Sequence, residues 1–179
     1  MSIFIGILSA IVLLIVVFLV VALFSKKGYT IEREIAIIKP KQEVFNYIKL
    51  LKNQDHFSKW VMRDPKMKKE FKGTDGTPGF TYAWDSEDKG AGKGEQEIKK
   101  VAEGQRIDME IRFEKPFKGV SETYMTTENA GDHRTKVKWV FSSELKYPMN
   151  LMLIFVNFEK LLGKDLEASL AMLRTNLEK

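Results

Sequence analysis

Ile107-Asp108-Met109-Glu110-Ile111-Arg112-Phe113 is the stretch that decides the fold. Ile107, Met109, Ile111 and Phe113 alternate with Asp108, Glu110 and Arg112. Successive side chains of a strand point to opposite faces, so this pattern describes a strand with one face buried and the other in water. One wet face is the habit of antiparallel sheets.

The same reading extends to both sides. On the C-terminal side, Val120–Thr127 and Thr135–Glu144 read as strands joined by a hairpin at Asn129–His133, with Val137, Trp139 and Phe141 pointing one way. On the N-terminal side, Glu103-Gly104 is a turn and Glu95–Val101 a polar strand. Phe80–Asp85, with Phe80, Tyr82 and Trp84 on one face, and Met67–Phe71 are further strands. Glycine-rich turns at Asp88–Gly94 and Gly73–Gly79 separate them. The result is a run of about six antiparallel strands.

Helices flank the run. Tyr29, Ile31, Ile35 and Ile37 alternate with Glu32 and Glu34 in an earlier strand, whose apolar face Arg33 interrupts, so its first half is expected to be exposed. Pro40 suits the first turn of a helix carrying Val44, Phe45, Ile48 and Leu51 as one stripe. Asn53–Met62 reads as a second short helix, ended by Asp64-Pro65. Pro148 opens a long terminal helix with Leu166, Leu170, Leu173 and Leu177 at helical spacing and a bend expected at Gly163. That helix is the only element long enough to cover the apolar sheet face, so the fold class is α+β.

The N-terminus has a different character. Ile3 to Phe24 is apolar and uncharged, then stopped by Lys26 and Lys27. At about 1.5 Å per residue such a helix crosses a hydrocarbon core of about 30 Å. A cleavable signal peptide fits less well: the run has no basic n-region, and Val21-Ala22-Leu23-Phe24 is not a small-residue cleavage site. Residues 1–28 are therefore read as a single-pass transmembrane anchor with a short linker, and residues 29–179 as one domain. Lys26, Lys27, Arg33, Lys39 and Lys41 all follow the span, which places the domain on the cytoplasmic side of a cell membrane.

Composition excludes several kinds of chemistry. The chain has no cysteine, so disulfides, thiol catalysis and cysteine-ligated zinc are ruled out. No His-Glu-x-x-His spacing exists, so no metal is expected, and nothing implies a cofactor. Gly90-Ala91-Gly92-Lys93-Gly94 lacks a serine or threonine after its lysine and precedes a strand, so it is a turn rather than a phosphate loop. The net charge of +5, with lysines at Lys66, Lys68, Lys69 and Lys72, reads as a solvated face or an attraction to anionic headgroups. No nucleic-acid-binding motif accompanies it. His56 and Asp55 are adjacent on a helical stretch and point apart.

The order of elements resembles the helix-grip fold of the START-like, polyketide cyclase/dehydrase (SRPBCC) superfamily from about Thr30 to Lys179. The resemblance rests on Pro40-Lys41-Gln42-Glu43-Val44-Phe45 after the first strand, Trp60 before Asp64-Pro65, and Gly79-Phe80-Thr81-Tyr82-Ala83-Trp84 before the glycine-rich turn. The ending from Gly163-Lys164-Asp165-Leu166 to Leu177-Glu178 also agrees. It implies a curved antiparallel sheet wrapped around the C-terminal helix, an apolar cavity between them, and a hydrophobic or lipid-like small molecule as partner; the anchor is an addition to that domain.

On that reading Trp60, Tyr82, Trp84, Met109, Ile111, Phe113, Tyr124, Trp139, Phe141, Met152 and Phe155 are the candidate ligand-binding residues. Each is equally a core residue by type, because aromatics supply large buried area. Ligand sites, however, are themselves mostly apolar. Met149–Phe158 is apolar nearly all round, and reads as a buried helix start, a lid or a membrane-touching segment. Glu122, in phase with Val120 and Tyr124, is the candidate acid or base if it faces inward, where burial would raise its pKa. Binding without catalysis is the first reading. A cyclase/dehydratase-type enzyme and a scaffold with a self-filled interior are the alternatives.

Overall fold

The computed structural model describes residues 2–88 and 90–179. The turn expected at Asp88–Gly94 includes Lys89, which lies outside the described residues. Helix α1 spans Ser2–Phe24. Strand β1 is Gly28–Ile37 and helix α2 Lys41–Ile48. Strands β2 (Lys68–Lys72), β3 (Thr81–Asp85), β4 (Lys93–Ala102), β5 (Arg106–Lys115), β6 (Gly119–Asn129) and β7 (Thr135–Glu144) follow. A single helical turn, α3 (Met152–Phe155), precedes the terminal helix α4 (Phe158–Leu177).

The strands form one seven-stranded antiparallel sheet in the order β1-β7-β6-β5-β4-β3-β2. Strands β2 to β7 make a meander, and β1 closes it against β7, with Gly28 opposite Glu144 and Ile37 opposite Thr135. The inner face carries Ile31 and Ile37 of β1, Ile98 of β4, Ile107 and Met109 of β5, Met125 of β6 and Val137 of β7. Leu166, Leu170, Leu173 and Leu177 of α4 pack on it together with Val44, Phe45 and Ile48 of α2. At about 25 cal/mol per Å² of apolar area removed from water, this layer is the main source of stability.

Several expectations need correction. Ile31 is buried, so the first half of β1 is not exposed, and Arg33 belongs to the inner face. Its guanidinium lies beneath Gly163 and pairs with Glu159 at 2.7 Å and Glu167 at 2.6 Å. A Cβ on Gly163 would sit 2.2 Å from Arg33 Nη2, so the glycine makes room for an arginine instead of bending α4, which runs unbroken through it.

The terminal helix does not begin at Pro148. A 3-10 turn, Met149–Leu151, leads into α3, and the chain then extends at Val156 (φ −108°, ψ 121°). α4 starts afresh, with the Asn157 side chain accepting from the Lys160 N–H at 2.8 Å, an N-cap.

Asn53–Met62 is not one helix but two short 3-10 helices, Leu51–His56 and Val61–Arg63. Backbone donors there are claimed from outside. The Asp75 carboxylate accepts from the N–H groups of Leu51 and Lys52, and Ser169 Oγ accepts from Lys59 N–H. These partners hold the segment in a path that sends Phe57 into the core.

Candidate functional site

The inner face of the sheet changes along its length. Toward the far end, near Ile37 and Thr135, it is closed by α2 and the leucines of α4. Phe57 and Trp60 meet Trp139 edge-on at 5.9 and 6.0 Å. The Trp139 N–H donates to Thr123 Oγ1 at 2.8 Å, and that hydroxyl donates to the Val140 carbonyl. This part is filled by its own side chains, at the close packing usual for interiors.

The other end, where β1 follows α1, is more exposed. Two cross-strand rows define it. One runs from Tyr82 through Gln96, Ile111, Ser121 and Ser143 to Tyr29. Nearer α1, Trp84 lies opposite Gly94 and Gly94 opposite Phe113. Trp84, Ile111, Phe113 and Ser143 are only half-buried although they face inward, as are Tyr29, Phe141, Phe158 and Leu162. Two aromatic pairs stand at this end. Tyr29 stacks on Phe158 at 4.7 Å with Phe141 beside it at 6.3 Å. On the opposite side Trp84 meets Phe113 edge-on at 6.1 Å.

Gly94 makes the second pair possible. A Cβ there would lie 2.9 Å from the Trp84 ring and 2.5 Å from the Arg112 carbonyl. The indole N–H of Trp84 donates to the Ala91 carbonyl at 2.9 Å, fixing the ring's edge.

Polar groups between the pairs are few. Ser121 Oγ donates to Ser143 Oγ at 2.8 Å, and Gln96 Nε2 lies 3.1 Å from Met109 Sδ. Tyr29 has its pKa raised by burial, an effect opposed by a hydrogen bond with Ser143. Tyr82 donates to Asp55 Oδ1 at 3.1 Å, and Lys69 pairs with the same oxygen at 2.9 Å. Burial, followed by the Asp55 charge, pushes the Tyr82 phenol far up, so it stays neutral and donates. An apolar enclosure with a few polar groups able to orient a guest is the usual composition of a small-molecule site.

The expected residues divide into groups. Trp60, Trp84, Ile111, Phe113, Phe141 and Met152 are half-buried, and of these Trp84, Ile111, Phe113 and Phe141 come together at the α1 end. Tyr82, Met109 and Trp139 are buried in the core. Trp60 also borders an outer cleft of about 400 Å³ with Met62, Ala168 and Met172. Phe155 is 70% exposed and sits beside Phe18 of α1.

Tyr124 and Glu122 are corrections. The inward residues of β6 are Ser121, Thr123, Met125 and Thr127. Tyr124 therefore lies on the outer face under the Arg106 guanidinium, 3.6 Å from its ring centre. Glu122 shares that face and is exposed, opposite Glu110 and Ser142. Val120, Glu122 and Tyr124 do share a phase, but it points to solvent. The sequence pattern does not single out Gln96, Ser121, Ser143 and Tyr29, which the structure places at the α1 end of the sheet. The alternation Gly94, Gln96, Ile98 within a strand read only as polar was the available signal. Among the described residues no group of three or more His, Asp or Glu side chains could hold a metal ion.

Solved structures share this architecture at low identity. A protein from Chromobacterium violaceum, CV1439, is 14% identical with a TM-score of 0.60, covering 84% of this chain and 97% of that one. The Aha1 dimer from Colwellia psychrerythraea is 14% identical with a TM-score of 0.58, covering 84% and 96%. Norcoclaurine synthase from Thalictrum flavum, in complex with dopamine and hydroxybenzaldehyde, is 12% identical with a TM-score of 0.62, covering 88% and 91%. None of the curated proteins compared matches the chain. The family model for polyketide cyclase / dehydrase and lipid transport matches residues 29–178. With the helix-grip sheet and terminal helix in place, this chain belongs to that polyketide cyclase / dehydrase and lipid transport family.

Proposed function

We propose that this chain is a membrane-tethered domain that holds a hydrophobic, lipid-like small molecule at the anchor end of its helix grip. The observation that carries this reading is the two half-buried aromatic pairs, Tyr29–Phe158 and Trp84–Phe113, which flank Ile111, Ser121 and Ser143 in the sheet register. An apolar guest would remove these rings from water, at about 25 cal/mol per Å². Ser143, Ser121 and Gln96 would orient its polar end. Family membership supports the small-molecule class, and the bound dopamine and hydroxybenzaldehyde of the norcoclaurine synthase are in keeping with it.

The anchor is Ile3–Phe24, with mean hydropathy 3.4 and almost wholly exposed flanks. Lys26 and Lys27 favour a cytoplasmic domain. Tethering keeps the site beside a lipid reservoir and removes most of the translational cost of finding it.

The test is native mass spectrometry of the full-length protein, released from micelles after incubation with a mixed lipid and fatty-acid extract. A retained adduct of defined mass, lost in Ser143→Leu, is the expected result. A protein that leaves the micelle bare and refuses every component overturns the proposal.

A further inference from the structure

The segment between β7 and α4, Pro148-Met149-Asn150-Leu151-Met152-Leu153-Ile154-Phe155-Val156-Asn157, contains no charged residue; Lys146 precedes it, and Glu159 and Lys160 follow in the first turn of α4. It covers little of the domain's core. Met149 is 45% exposed, Ile154 53% and Phe155 70%. Its contacts are with the anchor instead. The Phe155 ring meets the Phe18 ring edge-on at 6.2 Å. Asn150 Nδ2 donates to the Ala22 carbonyl at 2.7 Å, and Ala22, buried to 1% exposure, is covered there.

Phe18 lies six residues before the end of α1, about 9 Å up the helix axis. If α1 crosses a membrane, a segment packed at the level of Phe18 cannot remain in bulk water. We infer that Pro148–Val156 inserts into the bilayer beside the last two turns of the anchor and seats that end of the grip on the membrane surface. This rests on the reading of Ile3–Phe24 as a span.

Surrounding residues fit a bilayer as the partner. Phe117, 67% exposed, caps the β5–β6 turn at the same end of the sheet. Lys26, Lys27, Lys115, Lys118, Lys146 and Lys160 all lie at or beside the ends of the elements on this edge of the sheet. Two of the carboxylates on the same edge are already paired: Glu114 with Lys93 at 3.2 Å and Glu159 with Arg33 at 2.7 Å. This edge therefore combines exposed apolar side chains with an excess of lysines, the composition of interfacial segments that bind anionic membranes. Guests would then enter from the lipid phase without crossing water.

The cysteine-free chain permits a direct test in the full-length protein. Single substitutions Ile154→Cys, Phe155→Cys, Leu13→Cys and Thr175→Cys are labelled with an environment-sensitive fluorophore and reconstituted in phosphatidylcholine/phosphatidylglycerol vesicles. All four positions are exposed in the fold, so none should prevent folding. The expected result is quenching by brominated acyl chains, with protection from aqueous iodide, at 154, 155 and 13, and the reverse at 175. Iodide quenching at 154 and 155 with lipid quenching at 13 overturns the insertion and leaves the anchor standing. Iodide quenching at 13 overturns the anchor reading and the insertion with it.

Discussion

Asn150 Nδ2 donates to the carbonyl of Ala22 at 2.7 Å, so a residue on the β7–α4 segment caps the C-terminal end of the apolar helix. The last carbonyls of a helix lack intrahelical partners. Ser25 Oγ serves Val21 in the same way at 2.7 Å. Yet Asn150 Oδ1 is buried without a partner, so the amide donates to Ala22 and, at 3.4 Å, to the Lys26 carbonyl while leaving its acceptor unmet.

That balance makes the two obvious substitutions differ. Asn150→Ala loses a bond worth about 1 kcal/mol but also removes an orphan acceptor, so the net effect is small. Asn150→Asp turns a carboxylate toward the Ala22 carbonyl in a buried place, and should detach the segment from the anchor. The measurement is iodide quenching of a fluorophore at Ile154→Cys in vesicles: close to the parent in Asn150→Ala, clearly greater in Asn150→Asp.

Gly94→Ala should disturb the Trp84–Phe113 pair together with the local β4–β5 pairing. The added methyl meets the Arg112 carbonyl at 2.5 Å and the Trp84 ring at 2.9 Å. Overpacking of this kind costs about 1–3 kcal/mol, and both neighbours have to shift. The expected outcome is a changed near-ultraviolet circular dichroism signal and weaker guest binding, with the far-ultraviolet spectrum retained.

Arg33→Gln should cost little despite two short ion pairs. Glu159 and Glu167 each keep 58% of their side-chain surface exposed, so water screens both contacts. Exposed pairs contribute about 0–1 kcal/mol. Urea denaturation should show a loss of that size, shrinking further in 0.5 M salt, roughly where the screening length falls below 5 Å.

Glu122→Gln should leave binding, stability and any turnover unchanged, because the side chain is exposed on the outer face. A loss of turnover with binding preserved would revive the cyclase/dehydratase alternative.

The loop carrying Ala91 should loosen in acid. Asp88 has its pKa held below 3.8 by the Gly90 N–H, then by Arg63, with which it pairs at 2.8 Å. A carboxyl depressed in the folded state contributes stability above its unfolded pKa and loses it as pH falls through the folded one. Trp84 emission should therefore shift on acidification below about pH 4, the ordinary carboxylate value. Asp88→Asn should already sit near the acid form at neutral pH.

Alternation carried most of the fold. β7 was legible to the residue and β5 to within two, because each has one apolar and one polar face. β6 was found, but its face was misassigned. Its inward residues are mostly hydroxylic, Ser121, Thr123 and Thr127, while Val120 and Tyr124 look outward. Hydrophobicity alone turns that strand over. The break at Val156–Asn157 was hidden by an apolar run that suits a helix as well as an extended link. The role of Gly163 depends on Arg33, distant in sequence, which no local pattern could supply. The site was legible only in its aromatic pairs; the serines between them resemble surface residues until the register is known.

The central claim is that a guest lies between Trp84 and Phe158. The direct measurement uses full-length protein with Trp60→Phe and Trp139→Phe, leaving Trp84 as the only tryptophan, in micelles titrated with spin-labelled stearic acid. A guest between the pairs requires quenching of Trp84 that saturates, and that Ser143→Leu abolishes. Quenching that rises in proportion to the label without a plateau, and that is the same in Ser143→Leu, would contradict it.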